Sequence, residues 1–237
     1  MRMVTPVQLA AFNHIACTVC GSTAERRPGA VLWPELITDW GLSDAEAALV
    51  DLREGATCED CGCSMRNQAL AEAIVAAAGA SGTLASWVAT APALRVLEVN
   101  TAGTLTPWLR QLSGHRLVEF PEVDLQSLPF EDGTWDLVVH SETVEHVADP
   151  VLALAECRRV LAPGGSCAFS APVIPGRLTR RRDGLKPSYH GLESDPAYLV
   201  VSEFGADFWT VALDAGFTAL TTVRALWPVS VAYIAAR

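Results

Sequence analysis

The chain has 237 residues, half of them apolar, with a net charge of −10 and an isoelectric point near 4.9. This length suits one domain of ordinary size with a small appendage, and the mean hydropathy of +0.25 excludes a mainly disordered chain. The acidic balance argues against a nucleic-acid partner, because general nucleic-acid binders need basic surface to displace counterions.

The first residues, MRMVTPVQLAAFNHIAC, contain neither a long apolar core nor a cleavage site, so we expect no signal peptide. The longest helical apolar run, at 69–80, is interrupted by Glu72 and is too short to cross a bilayer. We therefore expect a cytoplasmic protein with no membrane partner. The oligomeric state stays open, a homodimer included.

Five of the seven cysteines lie in the first quarter of the chain, which predicts a separate module over residues 1–66. Two Cys-x-x-Cys pairs, in CTVCGS and CEDCGCS, are each followed by a glycine that permits a tight turn. They offer four soft ligands for a tetrahedral, structural zinc: Cys17, Cys20, Cys58 and Cys61. The alternatives are four buried thiols without metal, exchange of Cys61 for Cys63, and His14 as a substitute ligand.

The remaining elements follow in chain order. Ser43 and Glu46 form a capping box for a helix that Gly55 closes, and a second helix is predicted from Asn67 to about Ala78. Strand and helix patterns then alternate: strand 94–99, helix 105–112, strands 115–120 and 136–140, a helix from Pro150 capped by Asp149, strand 166–171, helix 206–215, and the strand-like runs FTALTTV and PVSVAYIAA. This alternation predicts a parallel sheet covered on both faces, with ligands at the carboxyl ends of its strands.

The stretch VLEVNTAGTL at 96–105 has the layout of a nucleotide-binding strand, turn and helix. It lacks the Gly-x-Gly-x-x-Gly pattern, which argues against a dinucleotide-dependent dehydrogenase. Asn100 tolerates the left-handed backbone that glycine would otherwise supply, whereas Ala102 adds a methyl group where a cofactor would lie close. Thr104 is an acceptable start for the helix.

The series LRVLEVNTAG, DLQSLPFEDGTWDLV, VEHVADP and RRVLAPGG resembles the class I S-adenosylmethionine-dependent methyltransferases. With LREGATCEDCGCSMRNQAL and YHG…SEFGADF, the chain is similar to a bacterial group that joins a Cys-rich module to this domain. The resemblance implies an α/β fold over residues 67–237: a Rossmann-like, seven-stranded, mostly parallel sheet with helices on both faces. It also implies S-adenosylmethionine as cofactor.

The resemblance assigns site residues by position. Glu98 would order the first loop, unless it is only a solvated strand end. Glu119, with Glu122 as the fallback, would bind the ribose hydroxyls. The other implied cofactor contacts are Phe120 against the adenine, Asp124 with Leu125 at the adenine amino group, and His140, Ser141 and Glu142 where methyl donor and acceptor meet. Asp124 has the alternative of capping a turn.

Methyl transfer to a hydroxyl needs a general base, most often histidine. We predict His190, in the long span after the fifth strand, as this base, and Tyr189 as a wall of the acceptor pocket. A surface histidine is the alternative. His146 is a second catalytic candidate, or else packs at a helix start. The nearby basic cluster would bind an anionic acceptor or be a solvated turn: Arg177, Arg180, Arg181, Arg182 and Lys186.

These features predict a methyltransferase that acts on a small molecule, such as a specialised metabolite or a saccharide. Two other classes stay open. One is a non-methylating relative that binds, scaffolds or catalyses a different cofactor-dependent reaction, which the altered loop favours. The other is a modifier of protein or RNA that docks through the zinc module, and the acidic charge counts against RNA.

Overall fold

The structure is a computed structural model, and it describes residues 15–90, 92–190, 195–225 and 229–237. His14 lies outside these ranges. The helices in them are α1 (Pro34–Asp39), α2 (Asp44–Gly55), α3 (Met65–Ala77), α4 (Leu84–Ala89), α5 (Thr106–Leu109), α6 (Pro150–Val160) and α7 (Trp209–Asp214). The strands are β1 (Arg26–Arg27), β2 (Thr57–Cys58), β3 (Val96–Val99), β4 (His115–Val118), β5 (Trp135–Ser141), β6 (Leu161–Ser170), β7 (Arg180–Arg181), β8 (Ser202–Glu203), β9 (Ala219–Ala225) and β10 (Ser230–Ala236). No helix of the described ranges is both long and apolar enough to cross a membrane.

A six-stranded sheet in the order β4-β3-β5-β6-β10-β9 forms the centre of the described fold. Strands β3 to β6 run parallel, and β10 pairs antiparallel with both β6 and β9. The predicted seventh strand is wrong. Residues 119–134, which connect β4 to β5, form only turns and irregular structure, and this connection is too short for another strand with its crossover.

Helices cover both faces of the sheet, as predicted. Leu154 and Cys157 of α6 pack with Phe169 of the sheet in one core. On the opposite face, Leu70 and Ile74 of α3 pack in a second core. The predicted start of α6 is confirmed, because the Asp149 side chain accepts a hydrogen bond from the Leu152 amide. Helix α4 was not predicted; it begins at a Thr83–Ser86 capping box inside a stretch that looks like turns.

The amino-terminal part packs directly against the helices that cover the central sheet. Its Cys17 and Cys63 belong to the same buried cluster as α3 and α4. Helix α3 begins at Met65, capped by Ser64, so this helix spans the predicted boundary at residue 66. The division of the chain into two domains stays a prediction, while the described contacts join the two parts.

Arg177 clamps α1 and α2 to the segment that follows β6. Its guanidinium donates to Glu46 at 2.8 and 2.9 Å and to the carbonyl oxygens of Trp40 and Gly41. A second link joins Arg182 to Asp39 at 2.8 Å. The amino-terminal segment is therefore held by charge-assisted hydrogen bonds, which are stronger than neutral ones.

We predict that Glu46→Gln lowers the free energy of unfolding by about 1.5–3 kcal/mol at neutral pH, the range for a hydrogen bond to a charged group. Glutamine keeps the capping box but loses the charge that Arg177 contacts. The hydrogen bond from Arg177 lowers the pKa of Glu46 from 4.5 to about 2. This stabilisation is fully present above the ordinary pKa and disappears as the pH falls toward about 2.

Urea unfolding of the wild-type and variant chains between neutral and acidic pH checks this prediction. The difference in unfolding free energy between the wild type and Glu46→Gln should disappear on acidification. Glu35→Gln, at an exposed position of α1, is the control and should change stability by less than about 0.5 kcal/mol. A difference in unfolding free energy that stays constant with pH would show that the Glu46–Arg177 ion pair does not cause the loss of stability.

Candidate functional site

A cavity of about 550 Å³ opens at the carboxyl ends of β3, β4 and β5. The chain runs from β3 to β4 on one side and then to β5 on the other, so the sheet order reverses here. Such reversal points are where open α/β sheets bind ligands. The strand ends line one part of the cavity with Asn100, Thr101, Gly103, Glu119, Phe120, Ser141 and Glu142. The amino-terminal segment lines the other part with Val31, Leu32, Trp33, Leu36, Trp40, Leu42 and Val50.

The loop after β3 is shaped by two side chains. Asn100 has a φ of 56°, which confirms the predicted left-handed conformation, and its Oδ1 accepts from the Phe120 amide at 2.9 Å. The fully buried Glu98 accepts from the Ala102 amide at 2.7 Å and from Thr106 Oγ1 at 2.5 Å. His115 Nε2 lies 2.7 Å from its other oxygen. Glu98 therefore organises the loop from below and does not line the cavity.

Several predicted cofactor contacts lie elsewhere. Ala102 is fully buried in the apolar cluster beneath the loop, so its methyl group does not enter the cavity. Leu125 is buried in the core on the α6 side, and the Asp124 carboxylate accepts from the Gln126 amide at 2.8 Å. The His140 ring is fully buried and stacks on Phe169 at 4.9 Å. Of the predicted set, the cavity is lined by Asn100, Glu119, Phe120, Ser141 and Glu142.

Polar groups join the two parts of the cavity. Arg66 donates to Ser141 Oγ at 2.5 Å and to Glu54 at 2.6 Å. Ser170 donates to Glu142, and burial raises the pKa of Glu142 to about 8. Arg66 and Glu54 do not stand out in the sequence, because they lie in the Cys-rich part and reach the site only in the folded chain.

His190 lies against the amino-terminal segment at the far end of the cavity. Its ring is 4.9 Å from the Trp40 ring, and Trp40 Nε1 donates to Ser188 Oγ at 2.8 Å. The His190 amide also donates to the Tyr198 carbonyl, which fixes its backbone. Tyr189 bridges to Leu199 and does not line the cavity. The structure thus places His190, but not Tyr189, where an acceptor could lie.

Glu145 lies between two histidines. Its side chain is fully buried, His146 Nε2 is 3.5 Å from Oε1, and His190 Nδ1 is 3.7 Å from the same oxygen. Burial opposes ionisation of Glu145, but the two histidines lower its pKa below the ordinary value. Glu145 was missed in the sequence, although the Glu-His pair in VEHV could have marked it.

The four predicted zinc ligands come together. The sulfur atoms of Cys17, Cys20, Cys58 and Cys61 lie within 4.8 Å of one another. Two of the separations are 3.7 and 3.8 Å, and a tetrahedral site with Zn–S bonds of about 2.3 Å has edges of about 3.8 Å. Cys63 is not a member of this group of sulfurs. The arrangement fits the ion in number, ligand type and spacing.

The four arginines of the predicted basic cluster are engaged in ion pairs. Arg177 pairs with Glu46, Arg180 and Arg182 pair with Glu203, and Arg181 pairs with Asp183. None of these arginines lines the 550 Å³ cavity. The structure accounts for this cluster by local pairing and places it away from the cavity.

We predict that Asn100→Val weakens cofactor binding far more than Asn100→Gly, because a β-branched residue resists a positive φ. Glycine adopts the same backbone but loses the hydrogen bond to the Phe120 amide. Asn100→Asp, which keeps both features, should bind nearly as the wild type does. Calorimetric titration of the folded variants with S-adenosylmethionine checks this order of affinities. Equal affinities for the valine and glycine variants would contradict the prediction.

Comparison with known proteins shows what the central part of the chain is similar to. Residues 75–169 match the family model for a methyltransferase domain. A 37.1 kDa uncharacterized protein in transposon TN4556 of Streptomyces fradiae is 34% identical over 151 residues, 60% of this chain and 41% of the relative. A demethylmenaquinone methyltransferase of Clavibacter sepedonicus is 37% identical over 113 residues, 46% of this chain and 45% of the relative.

The solved CurJ carbon methyltransferase aligns with a TM-score of 0.43 at 16% identity, covering 62% of this chain and 49% of that one. The chain spans less than half the length of the two curated relatives above. The residues that match the family model include β3 to β5 and nearly all of β6, together with the loops that form the strand-end part of the cavity. Residues 75–169 thus match a methyltransferase domain.

Proposed function

We propose that the whole chain transfers a methyl group from S-adenosylmethionine to a small molecule, such as a specialised metabolite or a saccharide. The observation that carries the proposal is the single cavity that joins the strand ends of the methyltransferase domain to an apolar wall from the amino-terminal segment. A volume of about 550 Å³ lies within the usual range of small-molecule sites.

The strand-end part of the cavity is assigned to the cofactor. Glu119 is an exposed carboxylate at the end of β4, with two acceptor oxygens for a ribose diol. Phe120 is 47% exposed and offers a ring face for the adenine. Gly103 has a φ of 60° and leaves the backbone open to the methionine part. When bound, the cofactor supplies an activated methyl: the acceptor's lone pair forms the new bond, and the pair of the broken C–S bond goes to sulfur.

The apolar part is assigned to the acceptor. Its wall includes Trp33, Leu36, Trp40 and Ile174, which suit the ring of a small molecule better than a charged group. The group of Glu145, His146 and His190 lines the same end, and there a hydroxyl acceptor would lose its proton.

We further propose a structural zinc on Cys17, Cys20, Cys58 and Cys61, supported by the sulfur spacing. Four protein ligands leave such an ion no open position for catalysis. The cytoplasmic location and the small-molecule partner belong to the same proposal. The non-methylating alternative loses one of its reasons, because the Ala102 methyl group is buried below the loop.

We predict that Glu119→Ala weakens S-adenosylmethionine binding by about 1.5–3 kcal/mol, the range for hydrogen bonds to a charged group. Glu122→Ala is the matched control: this exposed carboxylate lies three residues on and does not line the cavity, so affinity should not change. Calorimetric titration with the cofactor and with its demethylated product measures the affinity of both variants. A wild-type chain that binds neither form at millimolar concentration would refute the methyl-transfer proposal.

Purified protein should carry about one zinc per chain, which Cys58→Ser should lose together with the fold of the Cys-rich part, since metal binding and folding are linked. Cys63→Ser is the matched control and should keep the ion, because Cys63 is outside the sulfur group. Metal analysis and native mass spectrometry give the stoichiometry. Zinc retained by Cys58→Ser but lost by Cys63→Ser would show that the ligand set is wrong.

A further inference from the structure

We propose that Glu145, His146 and His190 bind a divalent first-row metal ion, such as zinc, manganese(II) or iron(II), at the acceptor end of the cavity. The site is separate from the four-cysteine group. One ligand atom from each of the three residues lies within 4.8 Å of the others, and all three residues line the cavity. Two imidazoles and one carboxylate form a known set for ions that keep open coordination positions.

The carboxylate of Glu145 lacks hydrogen-bond partners within the described ranges. Both oxygens of Glu145 are buried, and neither accepts a hydrogen bond from any residue in the described ranges. A buried carboxylate without such partners is costly, and a bound cation satisfies it. The His115–Glu98 pair shows the contrast: its 2.7 Å separation is a direct hydrogen bond, whereas the imidazoles stand 3.5 and 3.7 Å from Glu145.

These longer separations match two ligands of one ion. Metal bonds of about 2.0–2.2 Å to nitrogen and oxygen place neighbouring ligand atoms of a tetrahedral site about 3.3–3.6 Å apart. The separations of 3.5 and 3.7 Å are thus close to those of ligand pairs and longer than usual hydrogen bonds.

The orientation of the His146 ring also points to a cation. Its Nδ1 lies 2.9 Å from the Leu199 carbonyl oxygen, which can only accept, so Nδ1 carries the proton. In the neutral ring, Nε2 then presents its lone pair toward the Glu145 carboxylate. In this neutral state two electron-rich groups face each other, which favours a metal cation between them. Histidine ligands commonly donate their second N–H to a backbone carbonyl in this way.

The surrounding structure holds the three residues in place. The Glu145 carbonyl accepts from the Val201 and Ser202 amides, and Trp40 packs on the His190 ring. The inference rests on the proposed function and deepens it: an ion held by three protein ligands would keep open positions, and an acceptor hydroxyl bound to it would lose its proton to solvent water more readily. His190 then acts as a ligand and not as the base that the sequence predicts.

Manganese(II) is the probe of choice, because imidazole and carboxylate suit it whereas thiolates select softer ions. The full chain, with its cysteine-bound zinc in place, is titrated with manganese(II) while electron paramagnetic resonance follows the free ion. We expect about one ion per chain. Glu145→Gln and His146→Gln should each weaken binding at least about tenfold. Glu131→Gln, at an exposed position away from the cavity, is the control and should bind as the wild type does.

Zinc content and circular dichroism show whether each variant is folded. If either Glu145→Gln or His146→Gln is folded, its affinity for manganese(II) decides whether these residues bind the ion. A wild-type chain that takes up no manganese(II) or second zinc, or folded ligand variants that bind as tightly as the wild type, would overturn the inference. The cofactor titration is separate. Metal binding without cofactor binding would refute only the proposed function, and cofactor binding without metal would refute only this site.

Discussion

The clamp formed by Arg177 holds the amino-terminal segment in place, and the acceptor end of the cavity depends on it. Arg177 reaches Glu46 and the carbonyl groups of Trp40 and Gly41, so α1 and α2 are fixed relative to the segment after β6. Trp40 in turn bonds Ser188 and packs on His190. The residues that match the methyltransferase family model, 75–169, contain neither side of this contact. The family domain alone would therefore leave the acceptor end without its wall.

A second set of contacts holds the loop after β3, which lacks the Gly-x-Gly-x-x-Gly pattern. Asn67, near the start of α3, donates to the Ala102 carbonyl at 3.2 Å and accepts from Thr104 Oγ1 at 3.0 Å. Its Oδ1 also accepts from the hydroxyl of Ser64, which caps the same helix. The loop is thus tied to the helix that follows the second cysteine pair. Thr104 contributes a hydroxyl to this network that a glycine would lack, so this residue stabilises the loop through a hydrogen bond.

The sequence was a good guide wherever local rules decide the structure. The six strands of the central sheet each overlap a predicted run, and the positive φ of Asn100 and the Asp149 cap follow from the chemistry of single residues. The seventh strand was wrong because it came from the family pattern and not from the residues between β4 and β5. Neighbouring strand residues point to opposite faces. This alternation explains why His140 packs in the core while Ser141 reaches the cavity.

Sequence reasoning could not assemble the acceptor end, because its parts come from distant segments. Trp40, Glu145 and His190 meet only after the chain has folded, and nothing in the local pattern of any one predicts the other two.

The charges of this region also bear on the kind of acceptor it suits. The arginines of the 177–182 segment are paired with carboxylates, and Arg66 is engaged by Glu54 and Ser141. The carboxylates of Glu142 and Glu145 lie where donor and acceptor would meet. The arginines that line the cavity in the described ranges, Arg53 and Arg66, both pair with Glu54, so an anionic acceptor would find no unpaired arginine there. An uncharged hydroxyl compound with an apolar ring would instead pack against the tryptophan wall. The geometry therefore favours a neutral acceptor over the anionic one that the basic cluster suggested.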